Sequence, residues 1–396
     1  MALLGHPVYI LTMPWAAVFL VALVFMPPAF ASAVDQKFAE VSKRADAART
    51  ADHLQEAIEL YRQAVKLRPG WADGWWWLGS LLYEQDRFRE AAPAFRKFIA
   101  SSPKSGPGYA FLALCEYETH DLDRSYEHFQ DWARHGSPGN DALLDVAGFH
   151  WALLLTRQRR YTQALFLLSS KAQKLGDNPA LTEAMGLAAL RVPNLPEDYP
   201  PTLRERVWLA GKAAFLSAIG EFPRAKDYAD KLLLHYDQEP DVHFFRGTIF
   251  SIRKELAAAA TEFEATLKLS PNDAQAMTEL AIVRLEDFQA SEALGLAKRA
   301  TLLDSGSPRA HYALGRALFD SSRFAESLPE LERAKGLAPE SSVIRFSLAK
   351  AYKAVQREQE ANAEFAAFRK LQQKEDAAAA KPRPAPGPPS HREPEQ

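Results

Sequence analysis

The chain has 396 residues, 47% of them hydrophobic, and its 48 basic and 50 acidic side chains leave a formal net charge of −2. Charges this evenly balanced exclude a whole-protein bias toward nucleic acid or toward an anionic membrane. A single cysteine, Cys115, excludes any intramolecular disulfide, so stability has to come from packing.

In chain order, the first feature is a stretch of 34 residues without Asp, Glu, Lys or Arg. Val8 to Met26 is an almost continuous apolar run, followed by Pro27-Pro28 and the small-residue sequence Ala29-Phe30-Ala31-Ser32-Ala33. The pattern predicts that residues 1–33 are an export signal, cut after Ala31 or Ala33 and leaving a periplasmic or secreted chain. The usual basic start is missing, and only His6 carries charge there. The run also reaches the lower length limit for spanning a bilayer. As a retained anchor it would place Lys37, Lys43, Arg44 and Arg49 on its C-terminal side, which puts the remainder in the cytoplasm by the positive-inside rule. No cysteine follows the run, so no lipoprotein anchor is expected.

From Phe38 onward the sequence repeats itself. Segments beginning at Phe38, Ala72 and Gly106, and again at Pro240, Ala274, Pro308 and Ser342, are spaced 34 residues apart within each block. The unit from Ala72 is the clearest. Trp75, Leu78, Gly79 and Leu82 fall on one face of a first helix, Ala91, Phe95 and Phe98 on one face of a second, and Pro103 closes the unit. Small residues let the two helices approach and large ones fill the space between them. Ala57, Tyr61, Ala64 and Pro69 repeat the pattern before it. Gly247, Ala259, Phe263 and Pro271 repeat it later, as do Leu314, Gly315, Leu331, Ala334 and Pro339, and Leu348, Ala349, Tyr352, Ala361 and Phe365.

These recurring positions resemble the tetratricopeptide repeat over roughly residues 38 to 372. The resemblance implies an all-α, right-handed helix–turn–helix solenoid. It divides the chain into an N-terminal block of about four units (38–173), an irregular helix plus insertion (174–205), a C-terminal block of about five units (206–372), and an Ala- and Pro-rich tail (374–396) expected to be disordered. In the middle, a unit near Asp145 and another near Arg206 are expected, with one helix from Leu181 to Leu190. Pro193, Pro196, Pro200 and Pro201 then forbid helix. That stretch reads either as an extended loop packed on one face or as a hinge.

No catalytic signature stands in the chain: there is no HExxH, no paired CxxC, no phosphate loop and no nucleophile elbow. Gly136-Ser137-Pro138-Gly139 reads as a helix connection. His120, His128 and His135 cluster near Asp121, Asp123 and Glu127 without a fixed third metal ligand, and a solvated face accounts for them. Cys115 lies in a first-helix pattern beside Leu112 and Leu114 and reads as a small core residue. No metal and no cofactor are called for.

The resemblance also implies a concave groove lined by the first helix of each unit, chiefly at its second, fifth, ninth, twelfth and thirteenth positions. The fifth position carries Trp76, Phe149, Phe244, Tyr312 and Phe346, and neighbouring groove positions add Tyr83, Tyr117 and Phe319. Rings of this kind suit an extended or apolar peptide. Toward the C-terminal end Arg309, Arg316, Lys350 and Lys353 add positive charge able to receive carboxylates. The ninth position holds Ser80, Leu114, Thr248, Ile282, Arg316 and Lys350, with no Asn, which argues against the family's clamp for chaperone tails. The expectation is a scaffold or adaptor binding a protein or peptide segment, without catalysis. A carbohydrate-binding or enzyme-accessory module of the envelope is the alternative from another class, and a membrane-tethered cytoplasmic scaffold is the other. Self-association through the terminal units stays open.

Overall fold

The structure, a computed structural model, describes residues 28–136 and 141–379. It forms two compact units that divide after His150. Among the described residues there are helices and no strand. The expected signal or anchor falls almost entirely outside the described residues, as does most of the tail, and no described helix is long and apolar enough to cross a membrane.

The first unit is built from three helix pairs: α1 (Pro28–Thr50) with α2 (Leu54–Leu67), α3 (Ala72–Glu84) with α4 (Phe88–Ser101), and α5 (Gly106–Glu118) with α6 (Leu122–His135). The helix α7 (Asp141–Arg157) spans the boundary. The second unit contains α8 (Tyr161–Leu175), α9 (Pro179–Ala189), α10 (Arg204–Ala218) and α11 (Phe222–Tyr236). Four regular pairs follow: α12 (Pro240–Ile252) with α13 (Leu256–Leu269), α14 (Ala274–Glu286) with α15 (Ala290–Leu303), α16 (Pro308–Asp320) with α17 (Phe324–Leu337), and α18 (Ser342–Ala354) with α19 (Glu358–Ala379). Six first helices thus begin at the residues where the 34-residue frame places them. The fold class is the helix–turn–helix repeat that the sequence implied.

Three local devices recur with the same period. First, the turn inside each pair passes through the left-handed region, at Asp52, Asp86 and His120 and again at Gly220, Lys254, Phe288, Ser322 and Gln356. The next amide reaches back to close the first helix, as Arg87 N–H does to the Leu82 carbonyl at 2.9 Å and Arg357 N–H to that of Tyr352 at 2.9 Å. Second, the fourth residue of a first helix caps the loop before it by donating to the carbonyl six residues back. Trp75 Nε1 reaches Pro69 at 2.7 Å, Tyr109 Oη Pro103 at 3.3 Å, His243 Nε2 Asp237 at 2.9 Å, His311 Nε2 Ser305 at 3.1 Å and Arg345 Nε Pro339 at 2.9 Å. Residues as different as Trp and Arg share the position because each carries an N–H or O–H at the end of a long side chain. Third, a glycine on the first helix faces a large side chain on the second: Gly79 meets the Phe95 ring, Gly247 the Phe263 ring and Gly315 the Leu331 side chain. Phe95, Phe263 and Leu331 are completely buried there.

The 34-residue spacing is lost between α7 and α12, most sharply between α9 and α10. Arg191 sits at the left-handed turn that ends α9 (φ 53°), and Val192 N–H closes the helix on the Leu187 carbonyl at 2.9 Å. The second helix of this pair is absent. A strap from Arg191 to Pro200 and a 3₁₀ turn (Pro201–Leu203) take its place. The strap packs against α9. Leu195 is buried, Tyr199 Oη donates to Glu183 Oε1 on α9 at 2.5 Å, and Asn194 Nδ2 donates to the Asp198 carbonyl at 3.2 Å. With no second helix between them, α9 and α10 lie backbone against backbone. A Cβ at Gly186 would stand 1.9 Å from the Val207 carbonyl oxygen, and one at Gly211 2.0 Å from that of Thr182.

At both ends of the described chain, helix extends beyond the repeat frame. The helix α1 already begins at Pro28, ahead of the repeat frame at Phe38 and across both expected cleavage points, and α19 continues past Lys374 to Ala379.

Two outcomes follow from this packing. Gly186→Ala and Gly211→Ala each cost about 3 kcal/mol, because backbone rather than a side-chain tip must move. Gly295→Ala, on the open face of α15 with nothing near its Cβ, gains about 1 kcal/mol. Thermal melting of the three variants checks the contrast, and equal shifts would remove the close-approach account. Cys115 is completely buried and burial pushes its thiol up to about 12. A thiol reagent at about pH 8 is expected to label it only after denaturation.

Candidate partner-binding site

Within the first unit the expected groove rings lie among other rings. Trp76 is half-buried, with Phe95, Phe98 and Phe111 at centroid distances of 5.9, 5.1 and 5.5 Å. Tyr83 meets Phe88 at 5.3 Å and Phe111 at 5.1 Å, and burial pushes its hydroxyl up to about 12. Tyr117 and Phe149 both stand edge-on to His150, at 4.7 and 5.6 Å. These rings join consecutive repeats while each leaves part of its surface open.

Of the three histidines noted in the sequence, His120 is an exposed turn residue and the other two are engaged in packing. His128 Nδ1 lies 2.6 Å from Glu116, a buried carboxylate that Arg96 also reaches at 2.9 Å. His135 stacks on Tyr109 at 5.4 Å. Among the described residues no group of His, Cys, Asp and Glu has the arrangement of a metal site.

In the second unit the structure brings five of the expected residues together. Tyr312, Arg316 and Phe319 from α16 and Phe346 and Lys350 from α18 line one cavity of about 240 Å³, floored by Leu331 and edged by Val343. The helices α16 and α18 are first helices of adjacent pairs, so their groove positions fall side by side. Tyr312 and Phe319 back onto the buried core of these repeats. Phe346 remains 41% exposed and rests on Phe365 and Phe368, at 6.0 and 5.1 Å. The Lys350 ammonium stands 5.1 Å from the centre of Phe319 and 5.8 Å from that of Phe346, with no carboxylate in ion-pair reach among the described residues. Arg316 has only Asp320, at 3.5 Å. The cavity therefore has aromatic walls and an excess of positive charge. Lys353 lies outside this lining, exposed on α18.

Arg309 and Phe244 are differently placed. Arg309 is held by a two-pronged bond to Glu279, at 2.5 and 2.7 Å, which neutralises the charge expected to face a ligand. Both residues line a second cavity of about 250 Å³ with Gln275, Thr278 and Glu279 and with Arg160 and Tyr161 at the start of α8. The Phe244 ring is covered from within the chain, because the Arg191 guanidinium lies 3.9 Å from its centre. Arg191 Nε donates to Asp241 Oδ1 at 2.7 Å, Nη2 pairs with Asp273 Oδ2 at 2.6 Å, and Nη1 donates to Asp273 Oδ1 at 3.0 Å and reaches Gln275 Oε1 at 3.4 Å. Burial opposes this cation, but the hydrogen bond to Asp273 and the charges of Asp241 and Asp273 outweigh burial and raise its pKa further. Burial also pushes the Asp241 carboxyl above its ordinary range, and Arg191 draws it part of the way back.

The acidic side of this arrangement escaped the sequence reading. Asp241 and Asp273 stand near helix starts, where acids are common for helical reasons alone. Arg191 stood at the edge of the proline-rich stretch, with nothing local to say which helices it meets.

A family model described as tetratricopeptide repeat matches residues 42–106, 81–141, 216–274 and 278–342, together more than half of the chain. None of the curated proteins matches. Among solved structures, MamA from Desulfovibrio magneticus RS-1, residues 41 to the end, is 21% identical with a TM-score of 0.38, covering 42% of this chain and 95% of its own. YrrB, described as a TPR protein with an unusual peptide-binding site, is 19% identical with a TM-score of 0.35, covering 42% of this chain and 86% of its own. Likenesses this distant transfer no residue and no ligand.

Proposed function

The chain belongs to the tetratricopeptide repeat family, and we propose on that footing that the α16–α18 cavity captures a partner segment carrying an acidic residue beside an aromatic or aliphatic one. A repeat solenoid of this family is a protein-interaction scaffold: each repeat packs on its neighbours and leaves a long surface for other chains. The observation that carries the finer reading is Lys350, a cation held over two rings without a carboxylate of its own. An incoming carboxylate completes that site, while the apolar neighbour of the acid buries against Phe346 and Val343. The gain comes from preorganisation, since the walls are set by helix packing before any ligand arrives. The role we read is binding, since the chain carries no catalytic sequence signature and the walls are mostly rings and cations. The charge-free apolar run at the start supports export of this scaffold, with a retained anchor as the alternative.

A displayed random-peptide library selected on the folded protein should enrich acid-plus-apolar segments. Phe346→Ala with Lys350→Ala should weaken their capture by at least about tenfold, or about 1.4 kcal/mol. Helicity should stay unchanged, and melting should fall only by what Phe346 loses against Phe365 and Phe368, because Lys350 is exposed and Phe346 is partly so. Enrichment without acids, or capture indifferent to the two substitutions, would sink the assignment. Saturable binding of oligosaccharides to the same face would favour the carbohydrate alternative. Intact mass from soluble and membrane fractions of the native cell tests the location: a chain starting at Ser32 or Val34 in the soluble fraction supports export, and a full-length chain in the membrane supports the anchor.

A further inference from the structure

The arrangement around Phe244 is a complete recognition site with its occupant present. Asp241 and Asp273 supply carboxylates to both edges of a guanidinium, Gln275 adds an amide oxygen, and Phe244 offers a ring face beneath it. Planar bidentate pairing together with ring stacking is how proteins distinguish arginine from lysine. The acids are held in place without their cation. Asp273 caps α14 by accepting from Ala276 N–H at 2.9 Å, and Asp241 lies in the first turn of α12, where the helix dipole favours negative charge. The ring is backed by the buried Phe263 at 5.6 Å. The second cavity, lined by Phe244, Gln275, Thr278 and Glu279, adjoins the notch and gives room for the chain on either side of an incoming residue.

The occupant comes from a segment outside the repeat frame. Arg191 occupies the same left-handed turn that closes the first helix of the other pairs, and the chain then leaves the repeat geometry. It belongs to the one stretch of the second unit where strap replaces helix, and the strap is fixed by a few contacts at Leu195, Tyr199 and Asn194.

We propose that the notch formed by Asp241, Phe244, Asp273 and Gln275 is a guanidinium-recognition site filled here by Arg191 of the same chain, and that an arginine-bearing segment of a protein partner takes it by displacing Arg191. The strap is then an internal competitor that keeps this part of the groove shut to weak ligands. The proposal is independent of the α16–α18 cavity, whose charge has the opposite sign.

The test uses the whole chain with Arg191→Gly, since glycine keeps the left-handed turn while emptying the notch. The probe is N-acetyl-arginine amide at millimolar concentration, followed by thermal shift and by amide chemical shifts. The variant is expected to bind it saturably and at least about tenfold more tightly than the unaltered chain, whose own Arg191 competes intramolecularly. N-acetyl-lysine amide should bind far more weakly. Adding Asp273→Asn, which preserves the cap but removes the charge, should abolish binding. If Arg191→Gly does not fold, Arg191→Lys takes its place: lysine keeps a charge but gives up the fork, so the arginine probe should displace it and raise the melting temperature. A folded variant that ignores the probe overturns the proposal, as does one that binds arginine and lysine amides alike or one insensitive to Asp273→Asn. Each of those outcomes would leave Arg191 as a structural staple.

Discussion

Everything in this molecule depends on the separation between the two helices of a pair, and one small residue facing one large one sets it. Gly79 against Phe95, Gly247 against Phe263 and Gly315 against Leu331 are the same contact made in different repeats. The ring or branched chain fills the space the glycine leaves, and removing such a buried ring costs about 3 to 5 kcal/mol. The many surface ion pairs, such as Arg87 with Glu90, contribute about 0 to 1 kcal/mol each. The first kind of contact builds the stack, and the second decorates it. Once the separation is fixed, the first helices of adjacent pairs stand side by side, and α16 and α18 can present Tyr312, Phe319, Phe346 and Lys350 to a common cavity.

The same constraint explains where the repeat breaks. If a pair loses its second helix, nothing remains to hold the neighbouring first helix at the usual distance. The helices α9 and α10 answer this by closing up until backbone meets backbone, which glycine at 186 and 211 permits. The strap that replaces the missing helix keeps the turn geometry of a normal pair at Arg191 and then leaves it. An arginine in that turn is carried to the starts of α12 and α14, where two helix-start acids and a ring receive it. A buried ion pair of this kind is costly to break from one side, by about 3 to 5 kcal/mol, because the carboxylates are then left without compensation. A competing guanidinium removes most of that cost, and this separates displacement of Arg191 from simple loss of it.

What the sequence disclosed follows the same division. The pair contact repeats at a fixed offset, so six helix starts and the buried positions were readable from spacing. The loop cap at Trp75, Tyr109, His243, His311 and Arg345 also has a fixed offset, but its residue types differ so widely that only the hydrogen bonds reveal it. The turn residues in the left-handed region were hidden too, since apart from Gly220 they are not glycine. For the site, the aromatic positions at the C-terminal end and their cations were legible because the groove faces of α16 and α18 follow from the repeat frame. The pairing of Arg309 was hidden because its partner Glu279 lies 30 residues away. Arg191 was invisible as a ligand of Asp241 and Asp273 because it stands 50 and 82 residues from them, across a segment with no period at all.

The overall charge of −2 conceals a local polarity within the second unit. One part of its first-helix surface presents two carboxylates and a ring to a guanidinium, and another presents Arg316 and Lys350 beside three rings. Composition averages these to nothing, because each charge is offset somewhere else on the chain. A ligand senses charge only within about 8 to 10 Å under physiological salt, so it responds to the site and not to the sum. The two sites also differ in readiness. Lys350 waits without a carboxylate, whereas the Asp241–Asp273 notch is satisfied from within. On the two proposals, a scaffold arranged this way would admit acidic segments directly and basic ones only in exchange for its own arginine.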